Sequence, residues 1–75
     1  MMDKTLKATV YCLFMQLKIN GVIKGYDLFG VYSTKEKAEQ AMEWRYRGDG
    51  WWEGCQGELY NGCAIDTRVI DYNLQ

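Results

Sequence analysis

Nucleophilic catalysis needs a base beside the nucleophile, and this sequence contains no histidine. Its three cysteines, Cys12, Cys55 and Cys63, have no imidazole to take up the thiol proton, and no Ser-His pair can form. The same lack removes the commonest companion of cysteine at zinc. The cysteines are odd in number and include no Cys-x-x-Cys pair, a poor framework for disulfides or for a metal. A three-cysteine site completed by Asp66 or Glu53 is the one metal arrangement on offer. The simpler expectation is a small core residue at Cys12, two free thiols and no structural metal. Asp49 and Glu53 are a carboxylate pair of the kind used for acid–base or Mg²⁺ work, but carboxylates in a glycine-rich loop are usually just solvated. The glycines from Gly48 to Gly57 neither follow a strand nor lead into Lys-Ser/Thr, so they make no phosphate-binding loop. A chain without catalytic residues and without a cofactor is expected.

Aromatic residues are the stronger signal. Three Trp, six Tyr and two Phe make up 15% of the chain, and such rings bring large contact area at low entropic cost. Adjacent Trp51 and Trp52 point in different directions on a loop, so one can plug the open end of a sheet while the other stays available. Trp44, Arg45, Tyr46, Trp51, Trp52 and Tyr60 are the candidate contact surface, for a protein or for a flat ligand. Arg45 falls in the centre of an apolar helical stripe. It either snorkels past Met42 or pairs with a carboxylate or phosphate brought by a partner.

The elements that must position these residues are legible from periodicity. Residues 7–19 read as a long strand, followed by Asn20-Gly21, the pair best suited to the positive φ values of a type I′ hairpin turn. A second strand runs over 22–32. Taken literally, the turn pairs Ile19 with Val22 and, further on, Met15 with Tyr26 and Leu13 with Leu28. One face then carries Leu13, Met15, Leu17, Tyr26 and Leu28, and the other Val10, Cys12, Phe14, Phe29 and Val31. Gly25 or Gly30 is placed to mark a bulge that shifts this register. Ser33 and Glu36 form a capping-box pattern opening a helix over 34–47, with Ala38, Ala41, Met42 and Arg45 on one face and Lys35–Glu39 and Glu43–Arg47 as (i, i+4) pairs. Gly48-Asp49-Gly50 ends it. Residues 48–62 read as a structured loop with a short strand near Glu58-Leu59-Tyr60. Asn61-Gly62 then turns the chain into a last strand over 63–72. The expectation is one α+β domain spanning residues 1–75, an antiparallel sheet with a single helix on one face, in the order β-β-α-(β)-β.

The run Leu28-Phe29-Gly30-Val31-Tyr32-Ser33-Thr34-Lys35-Glu36-Lys37-Ala38-Glu39-Gln40-Ala41 resembles the strand-to-helix junction of small proteins carried by phages and prophages. Trp52-Glu53-Gly54 is similar to a tryptophan-glutamate-glycine element that some of them hold. The resemblance covers about half the chain. It implies a hairpin, a junction helix and a closing strand, and brings no catalytic residues with it.

Charge and hydropathy narrow the partners. A formal net charge of −1 offers neither a basic groove for nucleic acid nor a patch for anionic lipid. The longest apolar run, residues 10–15, is far too short to span a bilayer. Free thiols and an N-terminus without an apolar signal core predict a cytoplasmic protein, in the host cell's cytoplasm if phage-borne. The expected role is a non-enzymatic binding protein that occupies and inhibits or modulates a host protein, for example a defence complex. The alternative is a small-molecule binder that stacks a nucleotide-like ligand on its aromatics, with Arg45 or Arg47 on a phosphate. One helix can cover only one of two apolar hairpin faces. A homodimer packed sheet on sheet is therefore expected, unless the Gly- and Trp-rich loop folds over the second face.

Overall fold

The computed structural model describes residues 4–74 of the chain, with side chains for 6–71. Along the chain run β1 (Lys4–Ile19), β2 (Val22–Tyr32), α1 (Lys35–Trp44), β3 (Trp52–Glu53), β4 (Leu59–Tyr60) and β5 (Gly62–Leu74). β1 is the central strand of a three-stranded antiparallel sheet ordered β2-β1-β5, while β3 and β4 form a separate short ribbon. This is the α+β arrangement expected, with the strand over Trp52–Glu53 added inside what the sequence suggested was loop. At about 3.4 Å per residue a strand as long as β1 reaches roughly 54 Å, which sets the 55 Å long axis of the molecule. β2 ends with Tyr32 opposite Tyr11, whereas β5 stays paired with β1 as far as Lys4. Residues 4–10 and 68–74 therefore form a two-stranded arm beyond the rest of the sheet.

The first hairpin turns where expected. Asn20 has φ 53° and Gly21 φ 78°, the two positive values a type I′ turn requires. Ile19 pairs with Val22 and Lys18 with Ile23, but the ladder then slips twice. Leu17 faces Gly25, leaving Lys24 as an extra residue, and Leu13 faces Gly30 after Phe14 faces Leu28, leaving Phe29 as a second. Both glycines flagged in the sequence thus sit beside a bulge. Because side chains alternate, one extra residue exchanges the faces of everything beyond it. The literal register is corrected accordingly. Tyr26 and Leu28 lie on the face of Phe14, and Phe29 joins the face of Leu13.

That face holds the core. Leu13, Met15 and Ala38 are fully buried and Tyr60 is 6% exposed, with Phe29, Tyr32, Ala41, Met42, Trp52, Cys63 and Ile65 packed against them. Burying a side chain the size of leucine or methionine is worth about 1.5–3 kcal/mol. The helix meets the sheet through Ala38 and Ala41, whose small side chains let its axis come close, and through Met42. The helix is shorter than its sequence pattern suggests, and its cap lies one residue later. Thr34, not Ser33, is the N-cap: its Oγ1 accepts from the Lys37 amide at 3.2 Å, while the Ser33 hydroxyl accepts from Lys37 Nζ at 3.3 Å. At the other end the amides of Arg45 and Tyr46 reach back only three residues, to Met42 and Glu43. Tyr46 then leaves the helix to bridge Trp52. Glu43–Arg47 is consequently not an ion pair, and Arg47 binds Asp49 at 3.0 Å instead. Lys35–Glu39 forms, at 4.0 Å.

Asn61-Gly62 is not a second hairpin turn. Asn20 is the sole non-glycine residue with positive φ among those described. The Asn61 side chain instead holds the backbone of Lys18 from both sides, Oδ1 accepting from its N–H and Nδ2 donating to its C=O, each at 2.7 Å. Asn61 is thus the corner at which the chain passes from the small ribbon into β5. No helix among the described residues is long and apolar enough to cross a membrane.

Candidate functional site

The six aromatic and cationic residues singled out in the sequence lie around the end of α1 and the ribbon that follows, but they do not all face outward. Trp44, the last helical residue, is 78% exposed. Arg45 follows in the capping position and lies against two rings, its guanidinium carbon 4.4 Å from the centre of Phe29 and 5.1 Å from that of Trp44. A cation over a ring face gains about 0.5–1 kcal/mol at an exposed site. This settles where the awkward charge in the apolar stripe goes: onto Phe29, the bulged residue. Among the described residues no carboxylate pairs with Arg45.

The ribbon holds this end of the helix by its backbone. Glu53 N donates to Arg45 O and Arg47 N to Trp51 O, both at 2.9 Å. The Gly50 amide donates to the Tyr46 hydroxyl at 3.1 Å and the Trp51 amide to Asp49 Oδ1 at 3.2 Å. Asp49 therefore pairs with Arg47 and accepts from a backbone amide, closing this turn. Gly54 is confined as well. A Cβ there would meet Phe29 at 3.1 Å and the Glu58 carboxylate at 2.5 Å, so a larger residue would make the Glu58 side chain move and crowd the ring. Trp44, Arg45, Arg47 and Glu53 border a shallow depression of about 490 Å³ beside this turn.

Trp52 and Tyr60 point inward. Trp52 packs on the core and its ring lies 5.0 Å from that of Tyr46, tilted by 54°. Its Nε1 is buried with no acceptor among the described residues. Tyr60 meets Phe29 edge-on at 5.4 Å, and its hydroxyl donates to the Asp27 carboxylate. That hydrogen bond, with burial and the charges of Asp27 and Glu58 behind it, pushes the Tyr60 phenol up to about 12. Trp51 is half-buried. The outward-facing tryptophan is thus Trp44 rather than Trp52, and the accessible surface is built from Trp44, Arg45 and Tyr46.

The cysteines are all free and lie apart. Cys12 is opposite Asp66, Cys63 is opposite Met15 on the other face, and Cys55 sits in the exposed turn after β3. Burial pushes the Cys63 thiol up, partly offset by Lys18. Among the described residues no three His, Cys, Asp or Glu side chains come together as a metal site.

The second apolar face expected from the sequence is present, with different residues of β2 on it. The face of the sheet away from the helix presents Phe14 edge-on to Tyr26 at 5.7 Å, with Tyr26 65%, Leu28 54% and Val31 54% exposed. Arg68 binds Asp66 on this face at 2.6 Å. The helix and the Gly- and Trp-rich loop both lie on the opposite face, so the loop does not fold over this one. The bulges change its membership: Tyr26 and Leu28 join Phe14 and Val31 here, and Phe29 leaves for the core.

The chain belongs to the DUF7336 family, described as a domain of unknown function, whose family model matches residues 8–73. No curated protein and no solved structure matches the chain.

Proposed function

We propose that this DUF7336 chain is a non-enzymatic binding protein that docks on another protein through Trp44, Arg45 and Tyr46. One observation carries the reading: a tryptophan 78% exposed at the end of a helix, beside an arginine that lies against two rings and, among the described residues, has no carboxylate partner. Tryptophan and arginine are the residues most enriched where protein contacts concentrate their energy. Arg45 is held in place by Phe29 and keeps its hydrogen-bonding edge for a carboxylate on the partner. The resemblance of its strand-to-helix junction to phage-borne proteins suggests that the partner is a host protein whose action the chain blocks or modulates.

A nucleotide-like ligand is the weaker reading. The ring of Trp44 already lies against Arg45, and Tyr46 and Trp52 are tilted by 54° rather than parallel, a poor arrangement for sandwiching a base. Arg47 is also taken by Asp49. Affinity capture from host lysate with the wild-type chain and with Trp44→Ala, together with mass spectrometry of small molecules carried through purification, tests the proposal. A protein recovered in stoichiometric amount by the wild type and lost with Trp44→Ala supports it. A copurifying small molecule released by the same substitution would replace it with the ligand-binding reading.

A further inference from the structure

We propose that a second copy of this chain adds to the sheet along the outer edge of β5, antiparallel, about a two-fold axis at Thr67. The two edges of the sheet are built differently. The β2 edge is broken by two bulges, at Lys24 and Phe29, a common device for discouraging strand addition. β5 pairs with β1 from Gly62 to Leu74 with no shift in register, so its outer edge is long and regular and holds no proline. Among the described residues no backbone hydrogen bond reaches that edge. A regular row of unpaired N–H and C=O groups is a template for another strand.

The side chains say which strand fits. Opposite residues in an antiparallel ladder must lie on the same face, so only every second register is available to two identical strands. With Thr67 on the axis, Asp66 faces Arg68 of the second copy and Arg68 faces its Asp66, while Ile65 faces Val69 and Ala64 faces Ile70. The neighbouring registers set Asp66 against Asp66 or Arg68 against Arg68, and like charges directly opposite are destabilising. The Asp66–Arg68 pair at 2.6 Å then becomes half of a four-charge cluster. The arm supplies a second argument. A two-stranded ribbon is marginal in water by itself, and in this register residues 69–71 pair with residues 63–65 of the second copy. Each arm is thereby flanked by the broader part of its partner's sheet. This edge uses neither Trp44 nor Arg45 and stands apart from the docking surface proposed above.

Charge exchange tests the pairing. Light scattering across a concentration series should give the wild type twice the 8.8 kDa of one chain. Asp66→Arg alone and Arg68→Asp alone should each give the single-chain mass, because each sets like charges opposite. An equimolar mixture of the two should recover the doubled mass, since every opposite pair is again complementary. Circular dichroism checks that both variants fold. A wild type at 8.8 kDa throughout overturns the proposal. So does a mixture that fails to associate, or single variants that dimerise like the wild type, which would move the contact to the open sheet face. Should the variants not fold, amide exchange on the wild type decides. Outer-edge amides within residues 63–71 must become protected as concentration rises, and unchanged exchange there rejects the pairing.

Discussion

Leu13 and Leu28 are leucines on neighbouring strands of one hairpin, yet Leu13 is fully buried and Leu28 is 54% exposed. The same contrast runs along both faces. On one, α1 and the β3–β4 ribbon enclose Leu13, Met15 and Tyr60; on the other, Tyr26, Leu28 and Val31 meet solvent in the single chain. Composition does not distinguish the two faces, since both carry large apolar and aromatic side chains. Two unpaired residues, Lys24 and Phe29, do. The first moves Leu28 away from Leu13, and the second delivers Phe29 beneath Tyr60 and Arg45. A bulge here selects which rings build the core and which are left for contact with something else.

The contrast is tested most strongly by equal truncations on the two faces. Leu13→Ala should cost about 2–5 kcal/mol in urea unfolding, the range for a buried leucine. Leu28→Ala should stay within about 0.5 kcal/mol, as for an ordinary surface change. A comparable loss at Leu28 would show that the open face is covered in solution. Next in size is Tyr60→Phe, which removes the hydrogen bond to Asp27 and should cost about 1.5 kcal/mol, the low end for a bond to a charged acceptor. Tyr60 is held near 12 against the ordinary tyrosine value of 10.0, so above pH 10 its folded form keeps the proton that the unfolded chain has lost. Its stabilisation is complete below pH 10 and is lost as the pH rises towards 12. Thermal unfolding followed from pH 9 to 11.5 should therefore fall more steeply for the wild type than for Tyr60→Phe. Parallel curves would mean that the phenol does not report on the covered face.

Elements governed by local chemistry were readable from the sequence. Asn20-Gly21 fixed the hairpin turn, the alanine spacing fixed the face of α1, and the closing strand followed from alternation. The rest depended on contacts distant in the chain. A glycine can flag a bulge, but which residue goes unpaired is decided by what must be buried. Asn61-Gly62 is the same dipeptide as Asn20-Gly21 with the opposite outcome, because the Asn61 amide is drawn into a contact with Lys18. The helix ended early because Tyr46 had a strand partner in Trp52, and that same pairing sent Trp52 inward and left Trp44 outside.

The Asn61 corner also bears on how the chain reaches this structure. The β1–β2 hairpin closes over two residues, whereas the first contact between β1 and β5 must bring together positions 43 residues apart. Closing a loop of that length costs about (3/2)RT ln n, roughly 3 kcal/mol, before any ladder bond repays it. Asn61 makes two hydrogen bonds to a single residue of β1 at the mouth of that loop, after which Gly62 meets Gln16 and each later pair adds only a short step. The side chain therefore acts as the starter tooth of a zipper. Asn61→Ala should slow refolding in stopped-flow mixing more than it speeds unfolding, and a change confined to the unfolding limb would place the first contact elsewhere along β5.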